Sequence, residues 1–334
     1  VAEELLERLG IHRIPVPVPF PQAGGPVNVY AIEDQGGGLA LFDAGLGSEE
    51  ARAALEAGFR SRGLALEEVR RIVVSHGHVD HYGNAQAVVE RAGGAVPVLA
   101  HAADRGKIAA DGPRWRDLAP RYGAHLLRLG VPAETLADMA AQVDRGMGLA
   151  RRVTRVGDVA EGAVLRFRRF EAEVLHMPGH TPGLVCLHDA AHRLFLAADH
   201  LLEKVSPNPV IELGPGGEDG FFRPLVAYLS SVARLRALEV DWVLPGHGPP
   251  FSGHRKVIDD LVAFYGRRQA RIAEALARGP LTGHEVTQAL FPRVGPRDLF
   301  LAVSEAVANL EAMETRGEVR RDDDGARLRF RLAA

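Results

Sequence analysis

Ser75-His76-Gly77-His78-Val79-Asp80-His81 packs four side chains able to bind a metal, His76, His78, Asp80 and His81, into one short run. Ile72, Val73 and Val74 before it read as the end of a buried strand, and Tyr82 to Arg91, stopped by Gly93-Gly94, reads as a helix, so the run occupies a strand-to-helix turn. Such a turn aims several side chains at one point. Gly77 lets the backbone bend between the two histidines, and Asp80 and His81 at the helix start can face a second point a few ångströms away.

Working outward, further polar residues follow apolar stretches that read as strands: Asp43 after Leu39 to Phe42, His180 in Pro178-Gly179-His180-Thr181-Pro182 after Val174-Leu175, Asp199 after Leu194 to Leu196, and His247 in Pro245-Gly246-His247-Gly248-Pro249 after Trp242 to Leu244. Strand ends along one sheet edge converge in space. The order and the flanks resemble the metallo-β-lactamase superfamily, whose HxHxDH signature, later histidine in a PGHT-like turn, bridging aspartate and last histidine all have matches here.

Carried over residue by residue, the resemblance implies that His76, His78 and His180 hold one metal, that Asp80, His81 and His247 hold a second, and that Asp199 bridges them. Two divalent ions are expected, with zinc the first choice and iron or manganese open, because imidazoles suit all three and the added carboxylates shift the site toward harder ions. Asp43 matches an aspartate behind the metals, placed to hydrogen-bond a ligand histidine and fix its tautomer. The single cysteine, Cys186, lies in the apolar run Leu184-Val185-Cys186-Leu187 and reads as a core residue. Because zinc β-lactamases of the resembled family often carry a cysteine ligand near the bridging position, where this chain has aspartate, the resemblance implies a pattern closer to glyoxalase-II-like thioesterases, lactonases and nucleases than to a β-lactam substrate. His101 and His200 are the other histidines expected near the site.

A chain of 334 residues with 46% hydrophobic content suits a large α/β domain plus an appendage. The net charge of -3 argues against a protein built chiefly to neutralise nucleic acid or an anionic membrane. One cysteine makes no internal disulfide, Val1-Ala2-Glu3-Glu4 is no basic leader, and no apolar run reaches membrane-spanning length, so a soluble cytoplasmic protein is expected. Lysine occurs only at Lys107, Lys204 and Lys256, so arginine clusters carry little functional weight.

Strands at Ile11 to Pro17, Val27 to Ile32 and Leu39 to Asp43, a helix from Ser48 to Ser61 capped by Ser48, then Arg71 to Val74 and Val96 to Ala100 form a first half. A second half starts near Gly162 with strands through Val174, Val185 and Leu196, a helix from Phe221 to Leu238 and a last strand to Leu244. This fits the αββα sandwich of the metallo-β-lactamase type that the resemblance implies, over residues 1–266. A helical insert at about 104–155 is expected above the metals as a substrate wall, with Glu203 to Pro209 as a second wall; its Arg105, Lys107, Arg114, Trp115, Arg116, Arg121 and Tyr122 read first as a solvated arginine-rich face and second as a contact for an anionic substrate.

Residues 267–334 read as three helices (Arg268 to Arg278, Thr282 to Leu290 with a Thr282/Glu285 capping box, Pro296 to Thr315) and a hairpin through Asp322-Asp323-Asp324-Gly325, a winged-helix-like C-terminal domain. Its arginines barely outnumber its carboxylates, so packing on the catalytic domain or on a second subunit is expected rather than groove insertion. The apolar face of the third helix makes a homodimer the open oligomeric expectation.

The leading functional expectation is a dinuclear hydrolase in which a metal-bridged hydroxide attacks a thioester, ester or lactone carbonyl of a small molecule, with Asp80 orienting the nucleophile or passing its proton on. A phosphodiesterase or ribonuclease using the same metals is the alternative, with nucleic acid then a partner. A di-iron redox site and a metal-free scaffold are the remaining readings.

Overall fold

The computed structural model describes residues 2–214 and 220–333; Val1 and Ala334, the outer ends of the two expected domains, lie outside the described residues. Two sheets form its centre. The first holds β1 (Ile11–Val16), β2 (Val27–Glu33), β3 (Leu39–Phe42), β4 (Val69–Val73), β5 (Val98–Ala100) and β6 (Val156–Asp158) in that spatial order, antiparallel up to β3 and parallel from there on. The second holds β7 (Val164–Arg166), β8 (Glu171–His176), β9 (Val185–Asp189), β10 (Leu194–Ala198) and β11 (Trp242–Pro245), again in chain order, with only β10 and β11 parallel.

Side chains alternate between the two faces of a strand, and here both faces are apolar, so each sheet is covered twice. Tyr30, Ile32, Ala40 and Phe42 of the first sheet meet Val174, Leu187, Leu196 and Leu244 of the second in one core layer. The opposite face of the first sheet, with Val29, Leu41 and Ile72, packs on helix Glu49–Arg60, whose N-terminus is capped by Ser48 Oγ accepting the Ala51 N–H at 3.2 Å. Leu175, Cys186, Phe195 and Val243 on the outer face of the second sheet pack on helices Pro224–Ala237 and His254–Leu276. The result is an αββα sandwich.

Departures from the sequence reading lie in the helices: the expected helix Tyr82 to Arg91 is two, Val79–Tyr82 and Ala85–Arg91. Helix His254–Leu276 is one unbroken element, where periodicity marks only its end from Arg268. The insert helices Trp115–Arg128 and Ala133–Met147 do not roof the ligand-bearing strand ends; Leu126, Leu129 and Met139 share a core with Leu276, Val286, Val307 and Phe330 of the C-terminal region. That region adds β12 (Leu281–Thr282), β13 (Val319–Asp323) and β14 (Leu328–Leu332), with β14 central, and helices Gly283–Leu290 and Leu299–Thr315. The capping box is formed, Thr282 Oγ1 accepting the Glu285 N–H while Glu285 accepts from the Thr282 N–H.

Helix Leu299–Thr315 is buried on two sides. Val303, Val307 and Leu310 enter the core shared with the insert, while Ala308 and Ala312 pack toward helix Pro224–Ala237. Its apolar surface is therefore satisfied within the chain and supplies no reason for a dimer. No helix among the described residues is long and apolar enough to cross a membrane.

Candidate metal centre

Every residue expected at the site leaves the C-terminal end of a strand on one edge of the sandwich. Asp43 follows β3, His76 and His78 follow β4 with Asp80 and His81 on the short helix Val79–Tyr82, His180 lies between β8 and β9, Asp199 follows β10, and His247 follows β11. Two of these exits need unusual backbone. Asp43 and Ala198 adopt φ of 64° and 44°, sparsely populated for residues with a Cβ and sustained where surrounding bonds hold them. The Asp43 N–H donates to Val73 O, and the Gly246 N–H donates to Ala198 O at 2.7 Å, which ties β10 to the loop carrying His247.

The side chains converge. Ligand atoms of His76, His78 and His180 lie within 4.8 Å of one another, as do those of His76, His81 and Asp199, and those of Asp80, His81 and His247. His76 Nε2 and His78 Nδ1 stand 3.1 Å apart, and Asp199 places one oxygen 3.4 Å from His81 Nε2 and the other 3.5 Å from His180 Nε2 and 3.6 Å from His247 Nε2. Asp80 Oδ2 lies 3.4 Å from His247 Nε2. Two overlapping donor sets therefore share Asp199 between them, the arrangement a dinuclear metal site requires.

The outward-facing nitrogens show that a metal fits this centre. His76 Nδ1 donates to Ser75 Oγ at 2.9 Å, His81 Nδ1 to Asp43 Oδ2 at 2.8 Å, His180 Nδ1 to Asn208 O at 3.1 Å and His247 Nδ1 to Gly25 O at 3.0 Å. Each bond leaves Nε2 as the nitrogen that faces the centre. His81 Nε2, His180 Nε2 and Asp199 Oδ1 are buried without any hydrogen-bond partner among the described residues, which costs about 1–3 kcal/mol apiece unless a cation or water meets them.

Electrostatics point the same way. Burial, followed by the neighbouring imidazoles, holds His76 well below the usual histidine range, and burial with His78 beside it pulls His180 down to about 4, so both are neutral donors. Burial opposes charge on His81 and His247 too, but Asp199 and its neighbouring carboxylates outweigh it and raise both. Asp199 is resisted by burial yet held far below the carboxylate range by His81 and His247. The carboxylates thus demand positive charge between them.

Three residues behind the centre carry no sequence signal for the role they play. Asp104, buried at 1% exposure, accepts the Gly77 N–H at 2.8 Å, the Thr181 hydroxyl at 2.6 Å and the Gly183 N–H at 3.1 Å, fastening the two loops that carry His76, His78 and His180. Lys107 bonds Asp104 and Glu212, and Glu212 Oε1 lies 3.5 Å from His78 Nε2. Lys107 is therefore a structural cation, not a substrate-facing one. Among the other insert residues, Trp115 donates to Ala140 O and Tyr122 OH accepts the Leu213 N–H. His101 stacks on His176 and His200 lies against Tyr228, both outside the donor sets.

Gly246 permits the centre's close packing. A Cβ there would stand 2.1 Å from Asp199 Oδ1 and 3.0 Å from His81 Cε1. Gly246→Ala is expected to displace Asp199 and weaken metal binding by about 10- to 100-fold, on the scale of lost ligand support, as read by competition titration against a zinc indicator.

A cleft of about 640 Å³ opens over the centre, floored by His78, Asp80, His180, Asp199 and His247. Its walls come from Phe20 to Ala23, from the loop 202–210 and from helix His254–Leu276; among the described residues, none of those lining it belongs to the insert.

Comparison with known proteins agrees. Residues 269–333 match the metallo-beta-lactamase-like C-terminal domain. A probable metallo-hydrolase of Bacillus subtilis (strain 168) is 31% identical over 305 residues, covering 90% of this chain and 92% of the relative. A metallo-beta-lactamase family protein from Thermus thermophilus, known by crystal structure, superposes with a TM-score of 0.79 at 29% identity, covering 97% of this chain and 98% of that one. An acyl-coenzyme A thioesterase of Gallus gallus is 31% identical over 99 residues, 28% of this chain and 32% of the relative. With residues 23–247 matching the superfamily's own domain and the donor sets assembled on its strand ends, the chain belongs to the metallo-beta-lactamase superfamily and is a metal-dependent hydrolase.

Proposed function

We propose that this enzyme hydrolyses the carbonyl of a small thioester, ester or lactone. The observation that carries the reading is the shared Asp199 at the floor of a largely apolar cleft. His76, His78 and His180 would hold one cation and Asp80, His81 and His247 the other, with Asp199 within reach of both; zinc would suit a set of five imidazoles and two carboxylates. Two such cations lower the pKa of water from 15.7 toward about 7 and polarise a carbonyl oxygen.

The chain's own residues do the rest. Asp43, Ser75, Asn208 O and Gly25 O hold the imidazoles in the tautomer that presents Nε2. Asp80, kept ionised by His81 and His247 against the effect of burial, would orient the attacking water and receive its proton for the leaving group. The acyl-coenzyme A thioesterase among the relatives supports carbonyl chemistry.

A polyanionic phosphodiester fits less well. Lys204 is the one lysine or arginine among the described lining residues, beside Glu203 and Asp260, and the insert arginines expected to serve an anion are elsewhere. The same reading takes residues 1–266 as the catalytic domain and 267–334 as a winged-helix-like tail. The domain match over residues 269–333 and the sheet β12–β14 support that division, and the buried helix Leu299–Thr315 argues against groove insertion.

Zinc-loaded enzyme is expected to cleave butyryl thioesters and a simple lactone, to lose this on chelation and to regain it with zinc. Turnover of bis(p-nitrophenyl) phosphate with none of the carbonyl substrates would reverse the assignment.

A further inference from the structure

Bond cleavage at the cation centre needs only the floor of the cleft, yet apolar side chains also line its walls, interspersed with Glu203, Lys204 and Asp260. Val257, Leu261 and Phe264 recur at i, i+4 and i+7 on helix His254–Leu276, so they share one face, and all three are half-buried and line the cleft. Leu202, Val205 and Val210 line it from the loop after Asp199, and Leu301 comes from the C-terminal region. A hydrolase of small polar esters would gain nothing from such a surface.

The wall is also fixed relative to the reacting end. Asn208 O accepts the His180 Nδ1–H, Pro207 O accepts the Tyr265 hydroxyl at 3.2 Å, and the Ile211 N–H donates to Ser304 Oγ. Loop 202–210 is thereby tied at once to a ligand histidine, to the apolar helix and, just beyond its end, to the C-terminal region. Pro207 and Pro209 restrict it further. An apolar surface held at constant distance from a hydrolytic centre measures the substrate.

We infer that the cleft takes an unbranched aliphatic acyl chain, laid along Val257, Leu261 and Phe264 with its carbonyl over Asp199. The inference rests on the carbonyl-hydrolase reading and names its substrate class: medium- to long-chain acyl thioesters or esters. In the reaction the oxygen of one water forms a bond to the acyl carbon and the C–S or C–O bond breaks. The thiol or alcohol takes one proton of the water, and the fatty acid releases the other to solvent as it ionises. A cleft of this volume falls within the ~300–1,000 Å³ that ligand pockets of drug-sized molecules occupy.

Each methylene moved from water into an apolar site contributes about 0.8 kcal/mol, or roughly fourfold. In the zinc-loaded full chain, kcat/KM for straight-chain p-nitrophenyl esters from acetate to dodecanoate is expected to climb by about threefold to fourfold per methylene until the chain outruns the wall. Calorimetry is expected to detect dodecanoate binding at least tenfold tighter than acetate. Leu261→Asp and Phe264→Asp each flatten the length profile and remove the preference for dodecanoate. Val262→Asp, on the exposed side of the same helix, leaves both intact.

A flat profile with no preference for dodecanoate overturns the chain assignment and leaves the hydrolase reading standing. A preference equally strong in Leu261→Asp and Phe264→Asp overturns it too. If no ester or thioester of any length is cleaved while dodecanoate binds and both variants lose it, the carbonyl-hydrolase reading fails and the chain site stands.

Discussion

Asp199→Ala is expected to purify as a folded protein holding at most one cation per chain, with kcat/KM reduced by about 10²- to 10⁴-fold. Its two oxygens are the meeting point of three imidazoles from three different strand ends, His81 at 3.4 Å, His180 at 3.5 Å and His247 at 3.6 Å. Among the described residues, no other carboxylate reaches both donor sets. Removing one group that supports charge in the transition state costs about 3–4 kcal/mol, roughly 10²- to 10³-fold at 1.4 kcal/mol per factor of ten, and the loss of one cation adds to it. Asp199→Asn separates charge from shape: it fills the same volume, so a similar loss there assigns the effect to the missing negative charge. Elemental analysis with thermal melting of both variants is the check. Two cations per chain and near-normal turnover in Asp199→Ala would remove this residue from the centre.

The sandwich and the converging strand ends were legible because an apolar run precedes each ligand-bearing loop, and His76, His78, His180 and His247 each have a glycine beside them. His180 and His247 both sit after Pro-Gly, and Gly246 has a physical reason to be there, since Asp199 occupies the space its side chain would need. Pairing between distant residues leaves no such mark. Asp104 lies 79 positions from Gly183 and Glu212 lies 105 from Lys107, and nothing beside either carboxylate announces that it is buried and holds a partner from another loop.

Lys107 illustrates the same limit from the other side. Its position in a basic insert suggests a substrate contact, whereas its ammonium is consumed by Asp104 and Glu212 beneath the floor. Helix Leu299–Thr315 reads as having one apolar face because the second is built of alanine, Ala308 and Ala312, small enough to look neutral in periodicity but well suited to close helix packing. The cleft-lining face of helix His254–Leu276 is hidden for a related reason: three apolar residues among charged ones make a weak stripe, which gains meaning only when loop 202–210 faces it.

The second large effect is expected at Asp104. Asp104→Ala should lower the melting temperature by on the order of 10 °C and weaken cation binding by about 10- to 100-fold, although Asp104 belongs to neither donor set. The carboxylate stays ionised despite burial because Lys107, the Thr181 hydroxyl and the Gly77 amide favour its charge. Deleting it strands two buried amides, those of Gly77 and Gly183, at about 1–3 kcal/mol each. Half of the counter-charge of Lys107 goes with it. The stranded groups are neighbours of the ligands, Gly77 lying between His76 and His78, and Thr181 following His180, so relaxation of either loop moves imidazoles out of register. Lys107→Met is the informative companion, because it keeps all three hydrogen bonds to Asp104 from the ligand loops and removes only the cation. It is expected to lower stability while disturbing cation affinity less than Asp104→Ala does. Melting each variant with and without a chelator separates the two contributions: the part that persists in chelator belongs to the buried network, and the remainder to the cations. A melting temperature within about 2 °C of the parent in Asp104→Ala, where a loss of 1 kcal/mol already shifts a domain of this size by roughly that much, would show with unchanged affinity that the two ligand loops hold their geometry without this carboxylate.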